Sequence, residues 1–111
     1  MASFSHLSAE QARALIASGT SVIADIRDAH SFAAGHIDGS VPLNNDTLQD
    51  FVLEQASDTP VIVVCYHGIS SQSAAQYLAE QGFAEVYSLD GGFTAWQQIF
   101  PDMVASHQDK A

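Results

Sequence analysis

The apolar positions of this chain follow two rhythms. Some form short unbroken runs, and others return every three or four residues. The strongest run is Val61-Ile62-Val63-Val64. Four β-branched residues without alternation predict burial on both faces, as in a central parallel strand. Val22-Ile23-Ala24-Asp25-Ile26 and Val86-Tyr87-Ser88-Leu89 predict two more strands. Phe4 to Leu7 reads as a short edge strand, and Val41 to Leu43 as a brief one. The helical rhythm fills the gaps. Ala9 to Ser18 is rich in helix formers; Ser8 caps it with Gln11 completing a capping box, and Gly19 stops it. Asp28 caps a short helix through Phe32 and Ala33, and Gly35 and Gly39 bracket a turn-rich connection. Asn45 or Asp46 caps a helix carrying Leu48, Phe51 and Val52. Ser71 to Gln81 is a helix with Ala74, Ala75 and Leu78 on one face and Gly82 at its end. Asp90-Gly91-Gly92 makes a turn into a last helix, Phe93 to Phe100, which Pro101 stops.

Strands and helices therefore alternate from end to end. That order specifies an α/β fold with an open, mostly parallel sheet of about five strands and helices on both faces. No repeat and no Pro/Gly-rich linker divides the chain, so residues 1–105 are expected to form a single domain. The polar residues 106–111 are expected to be a frayed tail.

Composition narrows the function classes. The chain has 111 residues, 47% of them hydrophobic and only 14% charged, which suits one folded domain with one core. Thirteen acidic residues face three basic ones, Arg13, Arg27 and Lys110, for a net charge of −10. Three scattered cations cannot neutralise a phosphate backbone, so nucleic acid is excluded as a partner. An anionic membrane surface is disfavoured on the same ground. The longest apolar run, Val61 to Tyr66, is too short to span a bilayer. Met1 to His6 has neither a positive region nor a long apolar run, so no signal peptide is expected and the cytoplasm is the expected location. One cysteine rules out an internal disulfide and a cysteine-based zinc cluster. His6, His30 and His107 have no ligand spacing, and no metal is expected.

That cysteine, Cys65, ends the strongest strand. In open α/β sheets, ligands bind outside the carboxyl ends of the strands. A short loop, Tyr66-His67-Gly68-Ile69-Ser70-Ser71, follows and opens a helix at once. Its amides can converge on the sulfur, and a helix N-terminus adds partial positive charge. Both favour a thiolate and make an anion cradle without basic side chains. A cysteine in that position can equally be a small buried hydrophobe. The polar, glycine-bearing loop tips the reading toward a reactive thiol.

Two motif regions, taken in order, resemble the rhodanese-like sulfurtransferases, and most of all their single-domain bacterial branch. The first is Ala24-Asp25-Ile26-Arg27-Asp28 with Phe32, Gly35-His36-Ile37 and Gly39-Ser40. The second is Val63-Val64-Cys65-Tyr66-His67-Gly68, then Ser70-Ser71, Ala74-Ala75 and Leu78. Asp90-Gly91-Gly92-Phe93 with Trp96 matches a late Gly-Gly turn and Trp of that family. The resemblance runs from about residue 4 to residue 100. It implies that Cys65 is the nucleophile and carries a persulfide, formed from a small anionic sulfur donor such as thiosulfate. Cyanide, a thiol or a dithiol protein would then accept the sulfur. The loop from Tyr66 to Ser71 would bind substrate mainly through backbone amides, with no metal or organic cofactor. A sulfur relay fed by a protein persulfide and a non-catalytic binding module are the alternatives within the same family. A Cys-loop phosphatase would need an Arg six residues after the cysteine, where this chain has Ser71.

Many relatives carry Arg or Lys in the loop. Here Ile69, Ser70 and Gln72 are uncharged, and His67 is the only loop residue able to become cationic. With the acidic field of the molecule, this predicts weak apparent affinity for thiosulfate. Other candidates have structural readings. His36 is expected to bridge backbone groups rather than act as a base. Arg27 is expected to pair with a nearby acid such as Asp28. Phe93, Trp96 and Phe100 are expected in the core, one of them walling the pocket. The acids between Asp46 and Glu54 are expected on a solvated face.

Overall fold

A computed structural model describes residues 2–106. Five strands form one parallel sheet in the order β1-β6-β5-β2-β4: β1 (Ser5–Leu7), β2 (Val22–Asp25), β4 (Val41–Pro42), β5 (Val61–Val64) and β6 (Val86–Leu89). The helices are α1 (Ala9–Ala17), α2 (Ala29–Ala34), α3 (Leu48–Glu54), α4 (Ser70–Glu80) and α5 (Gly92–Ile99). The expected fold class and its five strands are present.

The centre of the sheet is β5. Its residues divide between two core clusters. Val61 and Val63 pack with Phe51, Ala75 and Leu78 of α3 and α4, while Ile62 and Val64 pack with Ala9, Ala12, Phe93 and Trp96 of α1 and α5. Burial on both faces removes any reason for alternation. β2 pairs with β5 from Val22↔Val61 to Asp25↔Val64. From β2 the chain moves outward to β4, and from β5 it moves the other way to β6. The carboxyl ends of β2 and β5 thus flank the point where strand order reverses, the usual place for a ligand crevice in such sheets.

Local chemistry sets the helix ends. Ser8 and Gln11 form the capping box, and Asp28 Oδ1 accepts from the Ser31 N–H at 2.8 Å to start α2. Neither Asn45 nor Asp46 caps α3. The Asn44 carboxamide takes the turn instead, accepting from the N–H groups of Asp46 and Thr47, and α3 starts after Thr47. An Asx turn satisfied one residue earlier displaces the expected cap.

The turn-rich connection after Gly35 contains a strand the periodicity did not predict. β3 (His36–Ile37) pairs antiparallel with β7 (Val104–Ala105). The chain reaches β7 through a 3₁₀ turn, Pro101–Met103. Ser106, expected in the tail, donates its hydroxyl to the Ala33 carbonyl. Residues 107–111, the rest of that tail and with them His107, lie outside the described residues. No helix among the described residues is long and apolar enough to cross a membrane.

Candidate active site

Cys65 is the first residue after β5 and is 3% exposed. The loop curls back over its sulfur. The Gly68 N–H donates to Sγ at 3.1 Å, and the Ser71 hydroxyl oxygen lies 3.2 Å from it. The N–H groups of His67 and Ser71 also face the sulfur and favour its charged form. Burial pushes the thiol up. The Ser71 hydroxyl, with the N–H groups of Ser71, Gly68 and His67, outweighs burial and holds it below its ordinary value. The result is a thiolate seat built from hydrogen bonds rather than from a neighbouring cation.

Of the loop residues expected to supply amides, His67, Gly68 and Ser71 converge on the sulfur. Tyr66, Ile69 and Ser70 are placed otherwise. The Tyr66 carbonyl accepts from the Thr94 N–H at 3.1 Å. Its phenol hydroxyl donates to Asp28 Oδ2, and Ser31 Oγ lies 3.1 Å from it. Ile69 precedes α4 with its side chain 75% exposed. Ser70 opens α4, and as the first residue of a helix its N–H has no intrahelical acceptor.

Two glycine features hold this loop. Gly68 has φ +86° and sits so close to the next turn that a Cβ would lie 2.8 Å from the Gly91 nitrogen. At Gly92, φ +60°, a Cβ would lie 2.5 Å from the Tyr66 carbonyl. α5 can therefore dock end-on, its Phe93 N–H donating to the Cys65 carbonyl at 2.8 Å. Gln72 Nε2 donates to the Gly68 carbonyl at 2.9 Å and fixes the peptide from the other side. The late Gly-Gly turn read in the sequence is thus part of the support of the cysteine loop.

Arg27 is buried beside the loop, and its partner is Asp25 rather than Asp28. Its Nε and Nη2 fork onto the Asp25 carboxylate, Nη2 to Oδ2 at 2.8 Å. Nη2 also donates to the Gly35 carbonyl at 2.7 Å. Asp28 is engaged at the surface by Tyr66 and Ser31. These bonds, that of Tyr66 foremost, hold its carboxyl down at about 2. The Arg27 guanidinium lies over the Phe93 ring, 4.1 Å from its centroid. Arg27, Ser31, Gly35, Tyr66, Phe93 and Thr94 line a cleft at the side of the loop. Phe93 is the aromatic wall, and Trp96 is fully buried in the core. His36 donates from Nδ1 to the Phe32 carbonyl at 2.7 Å and stacks on the Phe32 ring, a bridging role.

Ser88 escaped the sequence reading. It lies in β6 in register with Val63, is fully buried, and places its Oγ 2.8 Å from Ser71 Oγ. The available signal was one hydroxyl inside an apolar strand. Among the described residues, no group of three or more His, Cys, Asp or Glu is placed to hold a metal ion.

Comparison with known proteins agrees with this geometry. Residues 8–99 match the model of the Rhodanese-like domain. The chain is 56% identical over 98 residues to the thiosulfate sulfurtransferase GlpE of Shewanella oneidensis, covering 88% of this chain and 97% of that one. It is 53% identical over 110 residues to the protein of the same name from Ectopseudomonas mendocina, covering 99% of this chain and all of that one. The solution NMR structure of the rhodanese-like domain of the Anabaena Alr3790 protein has the same fold. Its TM-score is 0.80 at 22% identity, covering 96% of this chain and 83% of that one. A cysteine cradled by loop amides at the reversal of a parallel sheet, the Gly-Gly turn that buttresses it, and a match over nearly the whole chain place this protein in the rhodanese-like domain family.

Proposed function

We propose that this chain is a thiosulfate sulfurtransferase working through a persulfide on Cys65. The observation that carries the reading is the seat itself: a sulfur 3% exposed, with the Gly68 N–H and the Ser71 hydroxyl bonded to it and the N–H groups of His67 and Ser71 facing it, which together favour the thiolate. The thiolate attacks the outer sulfur of thiosulfate. An S–S bond forms to Cys65, the bond to the sulfonate sulfur breaks, and sulfite leaves with that electron pair. Cyanide then attacks the outer sulfur of the persulfide. Thiocyanate leaves and the thiolate returns. A dithiol acceptor would instead end as a disulfide and hydrogen sulfide. The two half-reactions alternate the enzyme between free thiolate and persulfide, so ping-pong kinetics are expected.

The N–H of Ser70, at the positive end of α4, is suited to an oxygen of the departing sulfite. The sulfur chemistry needs no metal or organic cofactor, because Cys65 itself carries the transferred atom. A free thiol of this kind suits a reducing cytoplasm. Ser71, where a phosphatase would need its Arg, gives no bidentate grip on phosphate. A protein persulfide as donor is the second reading. Ile69, 75% exposed, and Tyr66, 41% exposed, present apolar surface at the loop, and no Lys or Arg side chain stands in it.

The test is thiocyanate formation from thiosulfate and cyanide by wild type and Cys65→Ser. Wild-type turnover that vanishes in the variant is the expected result. A silent wild type that gains one sulfur on Cys65 from a cysteine desulfurase would replace thiosulfate by the protein donor. No sulfur on Cys65 from either source would overturn both readings.

A further inference from the structure

We infer that Ser88 is a positioning residue for Cys65: its hydroxyl holds the Ser71 hydroxyl in the orientation that donates to the sulfur. The inference rests on the reading of Cys65 as a reacting thiolate.

Ser71 and Ser88 are both fully buried, and their hydroxyl oxygens are 2.8 Å apart. Ser71 Oγ is 3.2 Å from Cys65 Sγ. The three groups form a buried line from sulfur to β6. Each hydroxyl has a single proton, so the line has a direction. With a neutral thiol, the S–H proton points to Ser71 and the Ser71 proton points to Ser88. With a thiolate the line must reverse. Ser88 then donates to Ser71, and Ser71 donates to the sulfur. A serine at position 88 serves either direction because it can accept or donate. The N–H groups of His67, Gly68 and Ser71 can only donate, so the hydroxyl pair is the adaptable part of the seat.

Ser88 also strengthens the donor it supports. A hydroxyl that accepts one hydrogen bond gives a better one, most of all in a dry interior. Without Ser88, a Ser71 hydroxyl aimed at the sulfur leaves its own oxygen unsatisfied, which disfavours that orientation. A buried hydroxyl in the strand Val86–Leu89 gains nothing for packing over an apolar side chain, which agrees with a role at the cysteine.

Few other groups compete. The titratable side chains on the elements around the cysteine are Asp25 at the end of β2 and Arg27 past it, Tyr66 and His67 in the loop, Tyr77 and Glu80 on α4, Tyr87 on β6 and Asp90 ahead of α5. Asp25 and Arg27 bond each other, Tyr66 bonds Asp28, Glu80 accepts from Gln76, Tyr87 donates to Glu85, Asp90 meets His6, and Tyr77 is exposed on α4. Among the described residues the side-chain partner of the sulfur is Ser71.

The test is the pH profile of Cys65 alkylation by iodoacetamide in the whole chain, for wild type, Ser71→Ala, Ser88→Ala and the double variant. Ser88→Ala should raise the midpoint, slowing alkylation below it about two- to tenfold. Ser71→Ala should raise it at least as far, and adding Ser88→Ala to Ser71→Ala should change nothing more. Ser88→Thr, which keeps the hydroxyl, should hold the wild-type midpoint. A wild-type midpoint in Ser88→Ala overturns the inference. So does an equal rise in Ala and Thr variants, or a further rise on top of Ser71→Ala. The profile needs no sulfur donor. A wild type that forms no thiocyanate while this ranking holds would sink the donor assignment and leave the role of Ser88 standing.

Discussion

Arg27 carries a full charge into the interior, and Asp25, 1% exposed, is buried still deeper. Neither is tolerable alone. Arg27→Ala should cost about 3–5 kcal/mol in a urea unfolding experiment, because it strands a buried carboxylate. The sequence showed that Arg27 needed an acid but not which one, since Asp25 and Asp28 are both within reach. Asp28 is diverted to cap α2 and meet Tyr66, a choice set by a loop 38 residues away. Tyr66→Phe tests that contact. The folded value of Asp28, about 2, lies below the usual carboxylate value of about 3.9, so its contribution is complete above the latter and is lost as pH falls through the former. In Tyr66→Phe, an NMR titration should show the Asp28 midpoint rising, and the fold should become less sensitive to acid across that window. That the loop would curl over Cys65 was legible from the glycine and the helix start that follow it, but which of its amides reach the sulfur was not: His67, Gly68 and Ser71 do, and Tyr66, Ile69 and Ser70 are placed otherwise. Ser88 was not, because its partner lies in another element.

The elements that periodicity describes well are those with a large apolar demand. β5 announced itself because both its faces are buried, and α1 because its capping box is local. The pair β3 and β7 is two residues long on each side, too short for any period, and its partners are far apart in sequence. The Gly-Gly turn was legible as a turn, but its purpose was not, because that depends on where α5 docks. Gly92→Ala should therefore do more than loosen a helix start. It places a Cβ 2.5 Å from the Tyr66 carbonyl at φ +60°, and should cost roughly 2 kcal/mol or more. Sulfurtransferase activity should fall further than stability alone explains, as a thermal melt beside an assay well below the melting temperature would show.

Taken whole, the molecule is an acidic body whose cysteine seat is made of one hydroxyl and backbone N–H groups, with no cationic side chain. The net charge of −10 opposes an approaching thiosulfate at long range, while the loop attracts it only at contact. Raising salt from about 20 mM to about 200 mM should therefore raise kcat/KM for thiosulfate roughly two- to fivefold, since screening weakens the repulsion and leaves short hydrogen bonds intact. A fall with salt would mean that a local positive potential dominates. The fold class was legible at this scale, because alternation of strands and helices leaves few other solutions.

The support of the cysteine loop has a consequence for how the protein is made. Ser88, Gly91, Gly92 and Phe93 all follow Cys65 in the chain, so during synthesis the thiol leaves the ribosome well before its seat exists. The contacts that hold the loop over the sulfur, from Ser88, Gly91, Gly92 and Phe93, are therefore complete only with the last third of the chain.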